Sequence, residues 1–374
     1  MDDVIEEIIL RFPPDDPASL VRTALVCKQW CRLVSGPDFR RRFAEFHRAA
    51  PMLGFFCNVI DCGDGAATAR FFRNSSCPSY ADHLNYFALD ACHGRVLLHN
   101  TRSAPPPQGL DPCLLAAVNL VVWDPTTDEL RELPMLFWLR GNLAWTAVVL
   151  CVAAARGGAC DHLNCHDGSF LVVFMGILHG NVFVYVYSSE AGAWGLPTKG
   201  LVGYIASTYL VIGPAILVGD ALHFALDDGR KIITYHLGVR ALSTITTPSL
   251  DMRFLQMGNM GLVMIEDNRL GVAGVDGYIL HLWSWRDCVN RVNAGEWEHS
   301  QVIDLCTMLS VADGDLSCKL HVVGFAEGTD IIFISTNDGV FTVELNSSRV
   351  KKVLDRGYFY GVVPYVNFYT PGTI

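Results

Sequence analysis

The stretch CDHLNCH at 160 to 166 packs Cys160, His162, Cys165 and His166 into seven residues, and all four are types that bind zinc. Structural zinc usually draws on two separated ligand pairs, because four ligands this close are hard to wrap around one tetrahedral ion. Lying beside Gly157 and Gly158 and between two strand-like runs, the segment reads instead as a polar loop. Cys57 and Cys62 flank a short segment with no neighbouring His, a weaker pattern still. Asp313-Gly314-Asp315 lacks the later ligands of a calcium loop and reads as a turn. Gly-x-Ser-x-Gly, a phosphate-binding glycine loop and His-Glu-x-x-His are all absent. No catalytic residue, metal or cofactor is therefore expected.

Composition bounds what remains. With 374 residues the chain exceeds the roughly 250 to 300 at which single cores tend to split. It is 51% apolar and only 18% charged, which calls for a packed protein. The longest uncharged apolar runs, LAWTAVVLCVAAA (143 to 155) and TYLVIGPAILVG (208 to 219), fall short of the roughly 18 residues that span a bilayer and read as buried strands. The acidic start at Asp2-Asp3 is unlike a secretory signal, and thirteen cysteines without regular spacing fit a reducing compartment, so cytoplasm or nucleus is expected. Residues 1 to 50 hold eight basic and eight acidic side chains, so the whole net charge of −10 lies beyond them. That balance argues against a nucleic-acid partner, and no segment asks for a membrane.

Two textures meet near residue 50. The first is helical: Val4, Ile5, Ile8, Ile9 and Phe12 form one apolar stripe opposite Glu6, Glu7 and Arg11, and Pro13-Pro14 stop it. Asp16 followed by Pro17 opens a second helix as cap and first helical residue. Ser35-Gly36-Pro37 marks another boundary before a basic helix from Asp38 to His47, whose Arg40, Arg41 and Arg42 read as a solvated face. From Leu20 to Val34 apolar residues cover more than the face one helix buries, and a unit of about 47 residues cannot bury much surface alone. Both features call for docking onto another protein.

From Leu53 onward the periodicity is that of strands. NVFVYVY (181 to 187), KIITYHL (231 to 237), GYILHLWSW (277 to 285), DIIFIST (330 to 336) and GVFTVEL (339 to 345) are β-branched and aromatic, with Gly and Asp turn signals between them. Strand groups recur near 86 to 134, 145 to 196, 208 to 245, 260 to 305 and 318 to 354, a spacing that suits four-stranded propeller blades. LGFFCNV (53 to 59) and ARFF (69 to 72), joined by GYFYGVV (357 to 363) from the C-terminal end, would complete a sixth blade and close the ring without a free edge. The alternative is two packed β-sandwiches. The predicted class is α+β and multidomain: a small all-α unit at 1–47, then an all-β domain at 53–374, a closed propeller of about six blades. Trp138, Trp145, Trp194, Trp285 and Trp297 fall near strand ends, and most are expected in the core with at most two on a recognition face.

The leader has a familiar form. DDVIEEIILRFPPDDPASLVRTALVCKQWCRLVSGPDFRRRF resembles the F-box, with Phe12-Pro13 closing its first helix and Val26-Cys27-Lys28-Gln29-Trp30 matching its Val-(Ser/Cys)-Lys-x-Trp core. VVWDPTTDELRELP (121 to 134) resembles a stretch of plant, particularly grass, F-box-associated β domains; Pro125 sits in the second position of its turn. The resemblance implies binding to a Skp-type adaptor, and through it a cullin, in a ubiquitin ligase whose β domain holds a protein substrate. Adaptor-face candidates are Val4, Ile5, Ile8, Ile9, Phe12, Pro13, Leu20, Val21, Val26, Lys28 and Trp30, with Trp30 also read as the anchor between helices. Family members usually carry Leu-Pro before the acidic pair, whereas here Met1 precedes Asp2, so a weaker first adaptor contact is expected. The competing readings are an F-box-derived binding protein acting outside a ligase and a glycosidase- or lyase-like propeller enzyme with its site on the axis, the latter disfavoured by the helical leader and the lack of a carboxylate or metal constellation.

Overall fold

The computed structural model describes residues 2–60, 67–74, 80, 82–102, 115–139, 144–155, 168–178, 180–201, 215–226, 231–248, 260–265, 268–287, 295–309, 320–347, 349–357 and 359–371. The Cys160 to His166 cluster, Cys62, the turn at 313 to 315 and most of the proline-rich stretch at 102 to 112 lie outside them.

Four helices come first: α1 (Asp2–Ile9), α2 (Pro17–Ala24), α3 (Lys28–Val34) and α4 (Pro37–His47). Pro17 and Pro37 open α2 and α4 at the position where a missing N–H costs nothing. The Asp16 carboxylate caps no backbone N–H of α2 and accepts from Ser19 Oγ at 2.5 Å, while Asp16 O accepts from Ser19 N at 3.1 Å. The apolar run from Leu20 to Val34 is two helices, not one. The chain breaks after Ala24, and extended Cys27 (φ −162°, ψ 162°) caps α3 by accepting from the Trp30 N–H at 3.5 Å. Ile9, Leu10, Leu20, Ala24, Val34, Phe39 and Phe43 form the core of this unit.

Six antiparallel sheets follow. The first holds β1 (Met52–Ile60), β2 (Ala67–Arg73) and β3 (His83–Leu84). The second holds β4 (Tyr86–Cys92), β5 (Arg95–Asn100), β6 (Leu115–Asp124), β7 (Glu129–Glu132) and β8 (Leu136–Leu139). The third holds β9 (Ala144–Cys151), β10 (Phe170–Leu178), β11 (Asn181–Ser188), β12 (Ala193–Trp194) and β13 (Thr198–Leu201). Next come β14 (Ile216–Val218), β15 (Ala221–Ala225), β16 (Lys231–His236) and β17 (Ala241–Thr246), then β18 (Met260–Ile265), β19 (Arg269–Asp276), β20 (Ile279–Asp287) and β21 (Gly295–Asp304). The last holds β22 (His321–Ala326), β23 (Ile331–Thr336), β24 (Gly339–Glu344) and β25 (Val350–Asp355). β26 (Phe359–Val366) then returns to pair with β1, from Met52↔Val366 to Val59↔Phe359. The result is a six-bladed propeller whose first blade takes its inner strand from the C-terminal end. β26 touches both β4 and β22, so the ring is shut at that seam.

Two runs depart from expectation. LAWTAVVLCVAAA is strand only to Cys151, and Val152–Ala155 is a helical turn. Of TYLVIGPAILVG, Ile216–Val218 is strand and 208–214 lies outside the described residues.

Blades pack face to face, so middle strands such as β5, β10, β19 and β23 are buried on both sides and read as apolar runs rather than as alternation. In β5, Val96 and Leu98 face the first blade while Leu97 faces the third; in β10, Val172 and Phe174 face the second and Val173 and Met175 the fourth. Six apolar clusters result, one in each gap between neighbouring blades. The turn Asn337-Asp338 leads into Gly339, whose φ of +138° and approach of 2.0 Å between an added Cβ and Leu354 O admit glycine alone. The Trp123-Asp124-Pro125 turn is also structural: Trp123 is buried and its indole donates to Asp128 Oδ1 at 3.0 Å, while Asp124 Oδ1 accepts from Thr126 N.

One carboxylate ties two blades. Asp90 on β4 accepts from Val149 N on β9 at 2.8 Å, and burial pushes its pKa from 3.8 to about 6 against the pull of that N–H and of Ala91 N–H. A pKa raised in the folded state contributes stability that is fully present below pH 3.8 and is lost as pH rises through about 6. Asp90→Asn keeps an acceptor without the charge. It should raise stability by about 1 to 3 kcal/mol at pH 8 and leave it unchanged at pH 4. Urea midpoints at the two pH values check this, and parallel curves for the two proteins would refute it.

Candidate partner interface

The helical core divides the candidate residues by burial. Val4 and Ile8 stand one turn apart on α1 at 63% and 56% exposure, and Val26 stands at 62% in the break between α2 and α3. Pro13 and Lys28 are exposed; Ile5, Phe12, Val21 and Trp30 are half-buried, with Ile5 and Phe12 packed against the core. Ile9 and Leu20, at 2% and 1%, face inward, so they belong to the helical core and offer no surface to a partner. Leu25, at 69% the most exposed apolar side chain of the unit, escaped the sequence reading. Its signal would have been the helix break, which no Gly, Pro or Asn announces.

Trp30 is not the anchor expected of it. It is half-buried and outside the core cluster, and Phe39 and Phe43, with ring centroids 5.7 Å apart, do that work. Trp30→Ala should therefore cost about 1 to 2 kcal/mol, below the roughly 3 to 5 typical of a buried tryptophan. A loss above about 3 kcal/mol in urea melts would return Trp30 to the core.

The arginines of α4 are likewise more than a solvated face. Arg42 pairs with Glu6 at 2.6 Å and Glu7 at 2.7 Å, tying α4 to α1, while Arg41 pairs with Glu45 at 3.0 Å. His47 Nε2 lies 2.9 Å from Leu10 O, which can only accept, so the ring nitrogen donates and closes the end of α1. Arg40 reaches the other way: its Nε donates to Thr370 Oγ1 at 2.9 Å. Phe368 sits edge-on to Phe43 at 6.1 Å and joins the helical core, and Asn367 N donates to Pro51 O at 3.1 Å. The segment that follows β26 thus fastens the helices to the propeller.

Of the five tryptophans named from sequence, Trp138 is buried and the other four are half-buried. Trp194 Nε1 donates to Pro134 O at 2.6 Å and Trp297 Nε1 to Thr246 O at 2.7 Å, each bridging two blades. Among the described residues no group of three or more His, Cys, Asp or Glu is placed to hold a metal. No described helix is long and apolar enough to cross a membrane.

A helical leader carrying this motif ahead of a closed six-bladed ring defines an F-box protein with a β-propeller. The F-box domain model matches residues 2–42. The model described as F-box protein AT5G49610-like, beta-propeller, matches residues 161–372, and the chain belongs to that family. No curated protein matches the chain. Similar solved structures include a protein of unknown function from Bacteroides caccae (11% identity, 83% of this chain and 99% of that one, TM-score 0.46). A putative 6-phosphogluconolactonase from Bacteroides fragilis has 12% identity, 82% and 83% coverage and a TM-score of 0.42. The Cps50 (Swd1) β-propeller domain of Myceliophteria thermophila has 8% identity, 83% and 88% coverage and a TM-score of 0.41. Likeness this loose carries no argument about activity.

Proposed function

We propose that this chain is the substrate-recognition subunit of an SCF-type cullin-RING ubiquitin ligase, without chemistry of its own. The helical domain, residues 1–47, binds a Skp-type adaptor and through it a cullin; the β domain, residues 53–374, holds a protein target. The observation that supports this reading is an apolar surface the unit has no use for alone. Its core is already filled, yet Val4, Ile8, Leu25 and Val26 stay more than half exposed. Such a subunit works in the cytoplasm or nucleus. Co-expression with a Skp-type adaptor should yield a complex that survives gel filtration. A tagged chain that retains no such adaptor would remove the main support for the ligase role.

A further inference from the structure

The chain does not end with β26. Residues 367 to 371 form a strap that touches both domains. Asn367 N donates to Pro51 O at 3.1 Å and so holds the short link between α4 and β1. Phe368 turns to the helices, where it meets Phe43 edge-on and joins the cluster of Leu10, Leu20 and Phe39. Tyr369, the next residue, packs instead against the cluster of Leu53, Phe56 and Tyr365 between the first and second blades. Thr370 is 4% exposed, and its hydroxyl accepts from Arg40 Nε. Consecutive side chains thus enter two cores, and one of these cores lies under the exposed apolar residues of α1.

The helices need this strap more than the ring does. Arg40, Phe43 and His47 follow one another on α4 at spacings of three and four, hence on one face. Arg40 and Phe43 meet the strap; Phe43 also lies edge-on to His47 at 4.5 Å, and His47 closes the end of α1 on Leu10 O. A unit of about 47 residues buries little surface alone, so one borrowed aromatic side chain is a large share of its core. The ring, by contrast, rests on six apolar clusters and is already shut by β26 before the strap begins. Phe43 and Phe368 stand near opposite ends of the sequence, and it is the pairing of β26 with β1 that brings them together, leaving only a short loop to close.

We infer that the strap makes the adaptor-competent state of the helical unit conditional on a closed propeller: the core beneath Val4 and Ile8 is finished only when β26 has paired with β1 and laid Phe368 on Phe43. A chain whose ring is torn or incomplete then offers the adaptor no ordered surface. The inference rests on the receptor reading only for the identity of the partner that senses this. Two variants test it: a chain ended at Asn367, which keeps β26, and full-length Phe368→Ala. Amide hydrogen exchange, read by mass spectrometry on the free chain, should be about tenfold or more faster in α1 and α4 of Phe368→Ala, and faster again in the shortened chain, with β10 and β23 unchanged in both. The shortened chain should bind a Skp-type adaptor about tenfold more weakly, because affinity falls with the folded fraction of the site. Unchanged exchange in α1 and α4, or an acceleration that β10 and β23 share in Phe368→Ala, overturns the inference. So does full adaptor affinity in a shortened chain whose helices have lost protection. A parent chain that retains no adaptor defeats the ligase role alone, and the exchange pattern still decides whether the helical fold is conditional on the strap.

Discussion

A chain ended at Arg356 is expected to lose its cooperative fold. The truncation removes β26, which supplies the inner strand of the first blade and buries Val362, Val363 and Tyr365 at 1%, 6% and 1% exposure. At about 1.5 to 3 kcal/mol for each buried side chain, these three alone approach the total stability of roughly 5 to 15 kcal/mol of an ordinary domain. The damage also spreads, because β26 feeds two of the gaps between blades and Phe368 feeds the helical core. β1 would then present a long apolar edge to other chains, so aggregation should accompany the loss. A graded version is Tyr365→Ala. Tyr365 stands edge-on to Phe56 at 6.1 Å, Phe71 at 6.3 Å and Tyr80 at 5.6 Å, and its removal should cost about 3 to 5 kcal/mol. Urea melts and near-ultraviolet circular dichroism report both variants. A truncated chain that melts cooperatively within a few degrees of the parent would show that closure by β26 does not hold the ring together.

The blades were legible because middle strands such as β5, β10, β19 and β23 are buried on two faces and each hairpin needs its own turn chemistry. Uninterrupted apolar runs broken by Asp, Asn and Gly gave both the strand positions and the spacing of roughly 50 to 60 residues. Even the closing strand could be read, since GYFYGVV joined to the strands after Leu53 closes the ring without a free edge, and β26 does pair with β1. The helical unit resisted reading for a different reason. Ile8 and Ile9 are the same residue type one position apart, yet one is 56% exposed and the other 2%. About 100° of rotation separates them on the helix, and only the packing of α2 and α4 decides which side is inside. The break after Ala24 is capped by a cysteine sulfur, a weak acceptor that capping rules do not anticipate. The bond from Trp297 Nε1 to Thr246 O and the seat that Gly295 leaves for Trp285 join residues that no local sequence pattern connects.

The exposed helical residues carry the other large expectation. Val4→Glu and Ile8→Glu on α1, and Val26→Glu in the helix break, should each weaken retention of a Skp-type adaptor by about tenfold or more. Burying one such side chain in an interface contributes on the order of 1.5 kcal/mol or more, which is tenfold in affinity, and an unpaired carboxylate at the same place adds a desolvation cost. The same substitutions should hardly move the melting of the free chain, because all three residues already face water. Leu20→Ala supplies the contrast. At 1% exposure inside the helical core it should lose about 2 to 5 kcal/mol of stability and reduce adaptor retention only through unfolding of the unit. Thermal melts on the free chain and adaptor pull-down with quantified occupancy separate the two patterns. If the Val4→Glu, Ile8→Glu double variant holds its adaptor as the parent does, the apolar face of α1 is not where the adaptor docks, and the exposed Leu25 and Val26 would have to account for the contact without it.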